Sequence, residues 1–182
     1  MTAEMIKYHK KTNTYITSKK SYFDEDMLFP GNLISGINTS FWGNVIVKGS
    51  AHIGKNTKIC GNLTAENVIL SSNASVHGQI FSSGDVSILT NARAASVICD
   101  GNLTIMDNSF VGFARSNKLV EIIGNPKVIE IDRVTKTVVR KDTLLPIPDE
   151  DILPDESDIE LSESDNPLSK SESDISLNES ES

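Results

Sequence analysis

Trp42-Gly43-Asn44-Val45, Cys60-Gly61-Asn62-Leu63 and His77-Gly78-Gln79-Ile80 are three copies of one short string, and their spacing decides the fold. The fourth string, Ala94-Ala95-Ser96-Val97, is a degraded copy. The small second residue recurs with steps of 18, 17, 17 and 17 residues, at Gly43, Gly61, Gly78, Ala95 and Gly112. A step that is kept four times predicts a chain wound into stacked, nearly equivalent coils.

A finer period of six residues divides each of these coils. One six-residue series consists of Val47, Ile53, Ile59 and Ala65. A second series, offset by half a step, consists of Val68, Ala74, Ile80, Val86, Ala92, Ile98, Thr104 and Phe110. Three short strands per coil, each with one inward apolar residue, predict an all-β fold, a triangular β-solenoid. A glycine-rich β-sandwich is the alternative, but it would not keep a 17-residue step.

The composition of residues 31–114 favours strands over helices. Only eight of these 84 residues are charged, which is too few for the charged face of an amphipathic helix. Glycine and asparagine are frequent instead, and both tolerate the left-handed backbone of a sharp corner. Short β-branched stretches such as Val45-Ile46-Val47 and Val68-Ile69-Leu70 lie between them and are typical of brief strands.

Charge and composition divide the chain into segments. Residues 1–30 are predicted to be a disordered basic segment, because the first 22 hold five lysines against Glu4 alone. The β-helical core follows over 31–114, and 115–145 adds either one more coil or a strand cap, giving about five to six coils. Residues 146–182 hold thirteen acidic residues against Lys170. We expect a disordered, serine-rich acidic tail there, which either solubilises the protein or binds a partner.

The sequence contains no recognisable export or membrane-spanning segment. Its first residues include lysines and no apolar stretch, so we expect no signal peptide. The apolar runs are a few residues long, far short of the roughly 20 that a membrane span needs. Cys60 and Cys99 are then expected to be reduced thiols, and the protein to be cytoplasmic.

Residues suited to catalysis are sparse. Ile53-Gly54-Lys55-Asn56 is typical of hexapeptide acyltransferases, which are left-handed solenoids that need a histidine base between subunits. Residues 31–114 offer only His52 and His77, and their separation of 25 residues does not match the coil. Three coil-borne histidines for a zinc ion are not available. We expect no enzyme and no cofactor, with an acyltransferase that uses His77 or His52 as the alternative.

The coil strings resemble those of the bactofilins, a family of polymer-forming bacterial cytoskeletal proteins. The strings that carry the resemblance are 47–54, 59–68 and 74–80, and they share the pattern Val-x-Gly-x-Ile-x-Ala-Glu-x-Val. The resemblance covers roughly residues 31–114. It implies a right-handed triangular β-helix and nucleotide-independent polymerisation, head to head and tail to tail. It also implies roles in cell shape, in scaffolding at the membrane and in the placement of cell-wall enzymes.

The two ends of the repeats are the expected polymerisation interfaces. A solenoid ends in unpaired strands and exposed interior residues, so it must be capped or stack on another end. Bulky apolar residues are concentrated near both ends of 31–114. The expected interface residues are Leu33, Phe41 and Trp42 at the amino end and Phe110, Val111 and Phe113 at the carboxyl end. Plugs within one molecule are the alternative for both groups.

The amino-terminal segment mixes apolar and basic residues and suggests contact with a membrane surface. The residues concerned are Met5, Ile6, Lys7, Lys10 and Lys11. Each basic residue near an anionic bilayer contributes about 1 kcal/mol, so we expect weak association with the cytoplasmic face of the membrane. Nucleic acid is not an expected partner, because the acidic tail opposes it and no aromatic platform is present. The remaining expected partner is a second copy of the chain.

Overall fold

The computed structural model describes residues 5–133 and 135–141, and within them the protein is an all-β solenoid of about seven coils. Each coil contributes strands to three faces, so the cross-section is triangular as predicted. Neighbouring coils pair in parallel along every face, and their inward side chains form one continuous apolar core. The right hand of the coil stays a prediction from the resemblance.

Face 1 is a nine-stranded sheet that extends over the whole solenoid. Its strands are β1 (Ile6–His9), β2 (Thr14–Thr17), β5 (Asn32–Ile34), β8 (Ala51–Ile53), β11 (Val68–Leu70), β13 (Val86–Ile88), β15 (Leu103–Ile105), β17 (Leu119–Ile123) and β19 (Lys136–Arg140). All pairs are parallel except the first, in which β1 runs antiparallel to β2.

Faces 2 and 3 are separate in the first coils and joined by continuous strands in the later ones. Face 2 begins with β3 (Tyr22–Phe23), β6 (Ser40–Phe41) and β9 (Lys58–Ile59), and face 3 with β4 (Met27–Phe29), β7 (Val45–Val47) and β10 (Leu63–Ala65). Four longer strands then cover both faces: β12 (Ser75–Ser82), β14 (Arg93–Cys99), β16 (Phe110–Ser116) and β18 (Lys127–Ile131).

The register corrects one of the two six-residue series. Ile80 pairs with Val97 and not with Ile98, because the coil there has 17 residues and 17 is not a multiple of six. The buried residues of the later coils are accordingly Val97, Leu103 and Val111. Ile98, Thr104 and Phe110, which the series predicts to be inward, are only partly buried and point outward. The earlier series, from Val47 to Ala65, is buried as predicted.

Asparagine forms the corner between faces 1 and 2, as the composition predicts. In five consecutive coils the corner residue has a positive φ of 55° to 61°, and it is always asparagine: Asn38, Asn56, Asn73, Asn91 and Asn108. In the seventh coil the positive φ moves to Gly124, since Pro126 disfavours a helical backbone at the residue before it. In the first coil the corner is Lys20, with a φ of 58°, and the six later corners use asparagine or glycine, the two residue types that tolerate this backbone.

A second ladder of side chains ties the coils together at the corner between faces 2 and 3. Oδ1 of Asp26 accepts a hydrogen bond from the backbone N–H of Asn44 at 2.7 Å. Oδ1 of Asn44 accepts one from Asn62 N–H at 2.9 Å, and Oδ1 of Asn62 one from Gln79 N–H at 2.8 Å. The bond from the Asn44 backbone lowers the pKa of Asp26. At this corner the first four coils are therefore held together by side chains as well as strands.

The solenoid begins earlier than the sequence predicted. Residues 5–30, expected to be a disordered basic segment, contain a hairpin (β1 and β2) and the rest of the first coil (β3 and β4). Phe23 and Phe29 in this coil are fully buried. Burial of these two rings stabilises the first coil, although the lysine-rich composition of the segment predicts disorder.

The solenoid also continues past residue 114. Strands β17 and β18 complete a seventh coil, and β19 begins an eighth. Of the two possibilities left open for 115–145, the described part of this segment thus forms coil strands in register with those before them. The predicted acidic tail over 146–182 lies outside the described residues.

Candidate interaction surfaces at the ends and faces of the solenoid

The amino end of the solenoid is capped. Strand β1 folds back antiparallel over β2 and covers the edge of face 1, and the Ser18 N–H donates to the Met5 carbonyl at 2.8 Å. Met5 and Ile6 pack, partly buried, against the core. Each face still ends in an edge strand with no described partner on its outer side: β1, β3 and β4, of four, two and three residues. Such short edge strands pair poorly with other chains.

Aromatic side chains fill the core behind this cap. The rings of Phe23 and Phe41 stack with centroids 5.0 Å apart and an interplanar angle of 11°. Tyr15 packs on Phe29 at 5.7 Å and on Tyr8 at 4.8 Å. The core of the first coils thus contains larger side chains than the valine, isoleucine and alanine of the later coils.

The last of the described coils has an open edge. Among the described residues no strand pairs with the outer edge of β19 or of β18, which together we call the carboxyl-terminal edge. Val139 has the register position that Ile122 and Ile105 have in the two preceding coils. Ile105 is fully buried, whereas Val139 is 61% exposed. A core position is thus left uncovered where the stack of described coils stops.

The predicted carboxyl-end residues lie one coil inside this edge. Phe110 pairs with Lys127 and Phe113 with Glu130, so β18 covers both. Val111 is fully buried in the core. The expectation that these three residues form the carboxyl end of the solenoid is wrong, because it places the end at residue 114.

The predicted amino-end residues are also displaced. Leu33 and Phe41 are fully buried in the second coil, under a first coil that lies before residue 31. Trp42 is 54% exposed, but it lies on the side of the solenoid, 6.2 Å from Tyr22 between ring centroids. The Lys58 ammonium lies 5.9 Å from the Trp42 ring, in a cation–π contact.

The predicted membrane-contact residues divide into two groups. Met5 and Ile6 pack against the solenoid core, and Lys7 is partly buried in β1. Lys10 and Lys11 are exposed on a 3-10 turn, Lys10–Thr12, that joins β1 to β2. The apolar residues of the group are therefore occupied inside the molecule, and only the two turn lysines face solvent fully.

Each face presents its own ladder of outward side chains. Face 1 presents Ile16, Ile34, His52, Ile69, Ser87, Thr104, Glu121 and Val138. Face 2 presents Tyr22, Ser40, Lys58, Ser75, Arg93, Phe110 and Lys127. Face 3 presents Leu28, Ile46, Thr64, Phe81, Ile98 and Arg115. Face 2 is thus the cationic face, and face 3 the most apolar.

A shallow groove of about 440 Å³ follows the outward ladder of face 3. Ile46, Phe81 and Ile98 form its apolar floor, and the charged residues Lys48, Glu66 and Asp100 lie along its rim. Arg115 ends the ladder in an ion pair with Asp132 at 3.3 Å. Because the rim carries two carboxylates, this groove does not favour an anionic ligand.

The residues considered for catalysis do not converge. His52 points outward on face 1, where its Nε2 lies 3.3 Å from Ser71 Oγ, and His77 lies at the corner between faces 2 and 3. Cys99 is buried, and desolvation raises the pKa of its thiol to about 11. Within 5–133 and 135–141 no group of three or more acidic, histidine or cysteine side chains is arranged to hold a metal ion.

No family model, curated protein or solved structure matches the chain. In the described part of the chain, no helix has the length and apolar character to span a membrane.

Proposed function

We propose that this protein is a structural, self-assembling solenoid, and that assembly begins at the carboxyl-terminal edge. The observation that carries the proposal is Val139, a core position that is 61% exposed while its counterpart Ile105 is fully buried. An open strand edge offers unpaired backbone groups, and an exposed core offers apolar area. Both are satisfied when a second copy stacks on the same edge.

The geometry favours contact between two carboxyl ends. A two-fold axis brings identical edges together, so β19 of one copy pairs antiparallel with β19 of the other. Lys127, Lys136 and Lys141 on or beside the edge repel their counterparts, so we expect association to strengthen with salt. The amino end offers only the short edge strands β1, β3 and β4, of two to four residues, so joining at that end is weaker and occurs at higher concentration.

The cellular role that fits such a polymer is a cytoskeletal scaffold. The repeat strings resemble those of the bactofilins, whose members polymerise without nucleotide and scaffold cell-shape and cell-wall proteins. By this resemblance we place the protein in the cytoplasm, with Lys10 and Lys11 available to an anionic membrane surface. The hexapeptide acyltransferase alternative receives no support from His52 and His77, since the structure places them on different sides of the solenoid.

Sedimentation velocity and negative-stain microscopy of the purified full chain, without nucleotide, test the proposal. We expect the wild-type protein to form dimers first and filaments at higher concentration. Val139→Lys places a charge in the contact and should lower dimer affinity at least tenfold. Val138→Lys is the matched control, because Val138 is the neighbouring residue of β19 but belongs to the outward ladder of face 1.

Two results would overturn this proposal. One is a wild-type chain that stays monomeric at every concentration and salt condition tested. The other is a Val139→Lys protein that assembles as well as the wild type while its circular dichroism shows an intact β fold.

A further inference from the structure

Face 2 carries cations at a regular interval. Lys58 pairs with Ser75, Ser75 with Arg93, Arg93 with Phe110, and Phe110 with Lys127, all in directly adjacent strands. One cation therefore occurs in every second coil, at intervals of roughly 10 Å for strands about 4.8 Å apart. We call Lys58, Arg93 and Lys127 the cationic ladder. The outward ladder of face 2 contains no acidic residue.

The cations of this ladder lack carboxylate partners in the described part of the chain. Lys58 contacts the Trp42 ring, and the structure shows no ion pair between Arg93 or Lys127 and any other described residue. Arg93 and Lys127 are exposed. Such a row of unneutralised cations beside the aromatic rings of Phe110 and Trp42 is an attractive surface for an anionic, partly apolar chain.

The protein's own sequence contains an anionic, partly apolar segment, in residues 142–182. The described residues hold sixteen basic and ten acidic side chains, whereas 142–182 hold fourteen acidic side chains and Lys170. Within 142–182 the string Ser-Asp-Ile-x-Leu-x-Glu-Ser occurs twice, at 157–164 and at 173–180. The described residues and residues 142–182, which we call the tail, are thus oppositely charged, and the tail combines acidic with aliphatic residues.

The spacing of the tail carboxylates and the length of chain that precedes them also match the cationic ladder. Two pairs of carboxylates in and just before the first copy of the string are each three residues apart. The pairs are Asp155 with Asp158, and Glu160 with Glu163. Three residues of extended chain span about 10 Å, which matches the interval of the cationic ladder. The tail follows Lys141, next to the coil that contains Lys127, and the 22 residues of 142–163 extend up to about 70 Å. Lys58 lies only about 19 Å from Lys127 along the ladder.

We propose that the acidic segment 155–163 lies along the cationic ladder of face 2 in its own chain. Faces 1 and 3 are less suitable, because Glu121 lies in the outward ladder of face 1, and Glu66 and Asp100 rim the groove of face 3. The tail then covers face 2, including the outward side of Lys127 in β18, and leaves the outer edge of β19 and the face 3 groove accessible. This inference concerns the single molecule and is independent of self-assembly.

Zero-length carbodiimide cross-linking of the full chain at low concentration and low salt tests the inference. The reagent joins lysine amines to carboxylates in direct contact, so Lys58 and Lys127 should link to residues 155–163. Lys48, on the rim of the face 3 groove, is the control lysine and should link at least fivefold less. Raising the salt to about 0.5 M should abolish the links, since exposed charges are then screened.

Arg93→Gln removes the central cation without removing a cross-linkable amine. We expect it to reduce the yield at Lys58 and Lys127 at least threefold, whereas Lys48→Gln, which removes one cation elsewhere, leaves both yields unchanged. A mixture of isotopically heavy and light protein separates links within one chain from links between chains. Links spread evenly over the lysines of all faces, or links found only between heavy and light chains, would overturn the inference.

Discussion

The two ends of this solenoid are made from the same kind of coil and finish in opposite ways. At the amino end the chain reverses into an antiparallel hairpin, and phenylalanine rings fill the first coils. At the carboxyl end the parallel strands β18 and β19 are the last of the described coils, and Val139 is left exposed. A repeated core therefore does not determine how a solenoid ends. The residues outside the repeat pattern do so.

The difference has a simple energetic basis. The largest side chains of the core lie near the amino end, at Phe23, Phe29 and Phe41, and all three are buried. The last strand, β19, has no buried residue at all. Burial of apolar area contributes about 25 cal/mol per Å², so the amino end contributes more to the stability of one molecule. The carboxyl end has unburied apolar area left for a second molecule.

The largest expected effect is the loss of an aromatic ring from the amino end. Phe23→Ala should lower the free energy of unfolding by about 3–5 kcal/mol, because it removes a stacked, fully buried ring and leaves a cavity. Urea unfolding followed by circular dichroism measures the change. Val139→Ala is the counterpart at the other end and should change stability by less than about 0.5 kcal/mol. Equal losses for the two variants would contradict the difference between the ends.

Thiol labelling provides a second, smaller test. Burial raises the pKa of Cys99 to about 11 from 9.0, so at pH 8 its thiolate fraction is about 100-fold below that of the unfolded chain. In a Cys60→Ser protein, Cys99 should react with iodoacetamide at least about 100-fold more slowly in the folded state, because the side chain is also fully buried and the reagent reaches it only when the coil opens. The rate should rise with pH as the thiolate forms.

The same reaction compares the stability of the two ends. A thiol at the amino end is introduced by Ser35→Cys, at a fully buried position of the second coil, with Cys60 and Cys99 replaced by serine. We expect urea below the unfolding midpoint to accelerate labelling of Cys99 before that of the introduced thiol, since coils near an open edge unfold locally first. The reverse order would show that the amino end is the weaker one.

The smallest expected effect concerns an ion pair at the carboxyl-terminal edge. Arg140 Nε lies 2.8 Å from Glu121 Oε1, but the arginine side chain is 54% exposed. Exposed pairs contribute about 0.2–1 kcal/mol, so Arg140→Gln should destabilise by that amount at low salt and by almost nothing at 1 M salt. Lys136→Gln, in the same strand, controls for the loss of one positive charge. A salt-independent loss in Arg140→Gln would indicate a packing role for the arginine stem.

Much of the fold could be predicted from the sequence because the repeated corners have strict chemical requirements. Asparagine tolerates a positive φ, and the Gly43 series marks a corner where neighbouring backbones almost touch. A Cβ atom added to Gly61 would lie 2.5 Å from the Gly43 carbonyl oxygen, and one added to Gly78 would lie 2.5 Å from that of Gly61. Such requirements recur once per coil and therefore appear as a periodic pattern.

The first coil was missed because its signals differ from those of the later coils. Lys20 occupies the corner position that asparagine has elsewhere, and Asp26 replaces asparagine at the start of the ladder between faces 2 and 3. A signal was nevertheless present, since Asp26, Asn44, Asn62 and Gln79 keep steps of 18, 18 and 17 residues. Aspartate and asparagine share the Oδ1 acceptor, so a search for acceptors would have included it.

The interface residues could not be located until the number of coils was known. Five of the predicted interface residues lie in complete coils: Leu33, Phe41, Phe110, Val111 and Phe113. The size of a side chain alone does not show whether its position is covered by a neighbouring coil or lies at an end. The outward ladders of the three faces cannot be recognised from the sequence alone either. Lys58, Arg93 and Lys127 are separated by 35 and 34 residues, and they form a row only once each coil is known to have 17 or 18.

The ladder that joins Asp26, Asn44, Asn62 and Gln79 has a consequence for how such proteins change over generations. Each side chain bonds only to the next coil, so no contact in the ladder extends beyond one neighbour. Duplication or deletion of one inner coil of this ladder would bring together neighbours of the same kind and leave both ends in place. The length of the molecule can therefore vary by inheritance of whole coils while the capped end, the open edge and the surfaces between them stay the same.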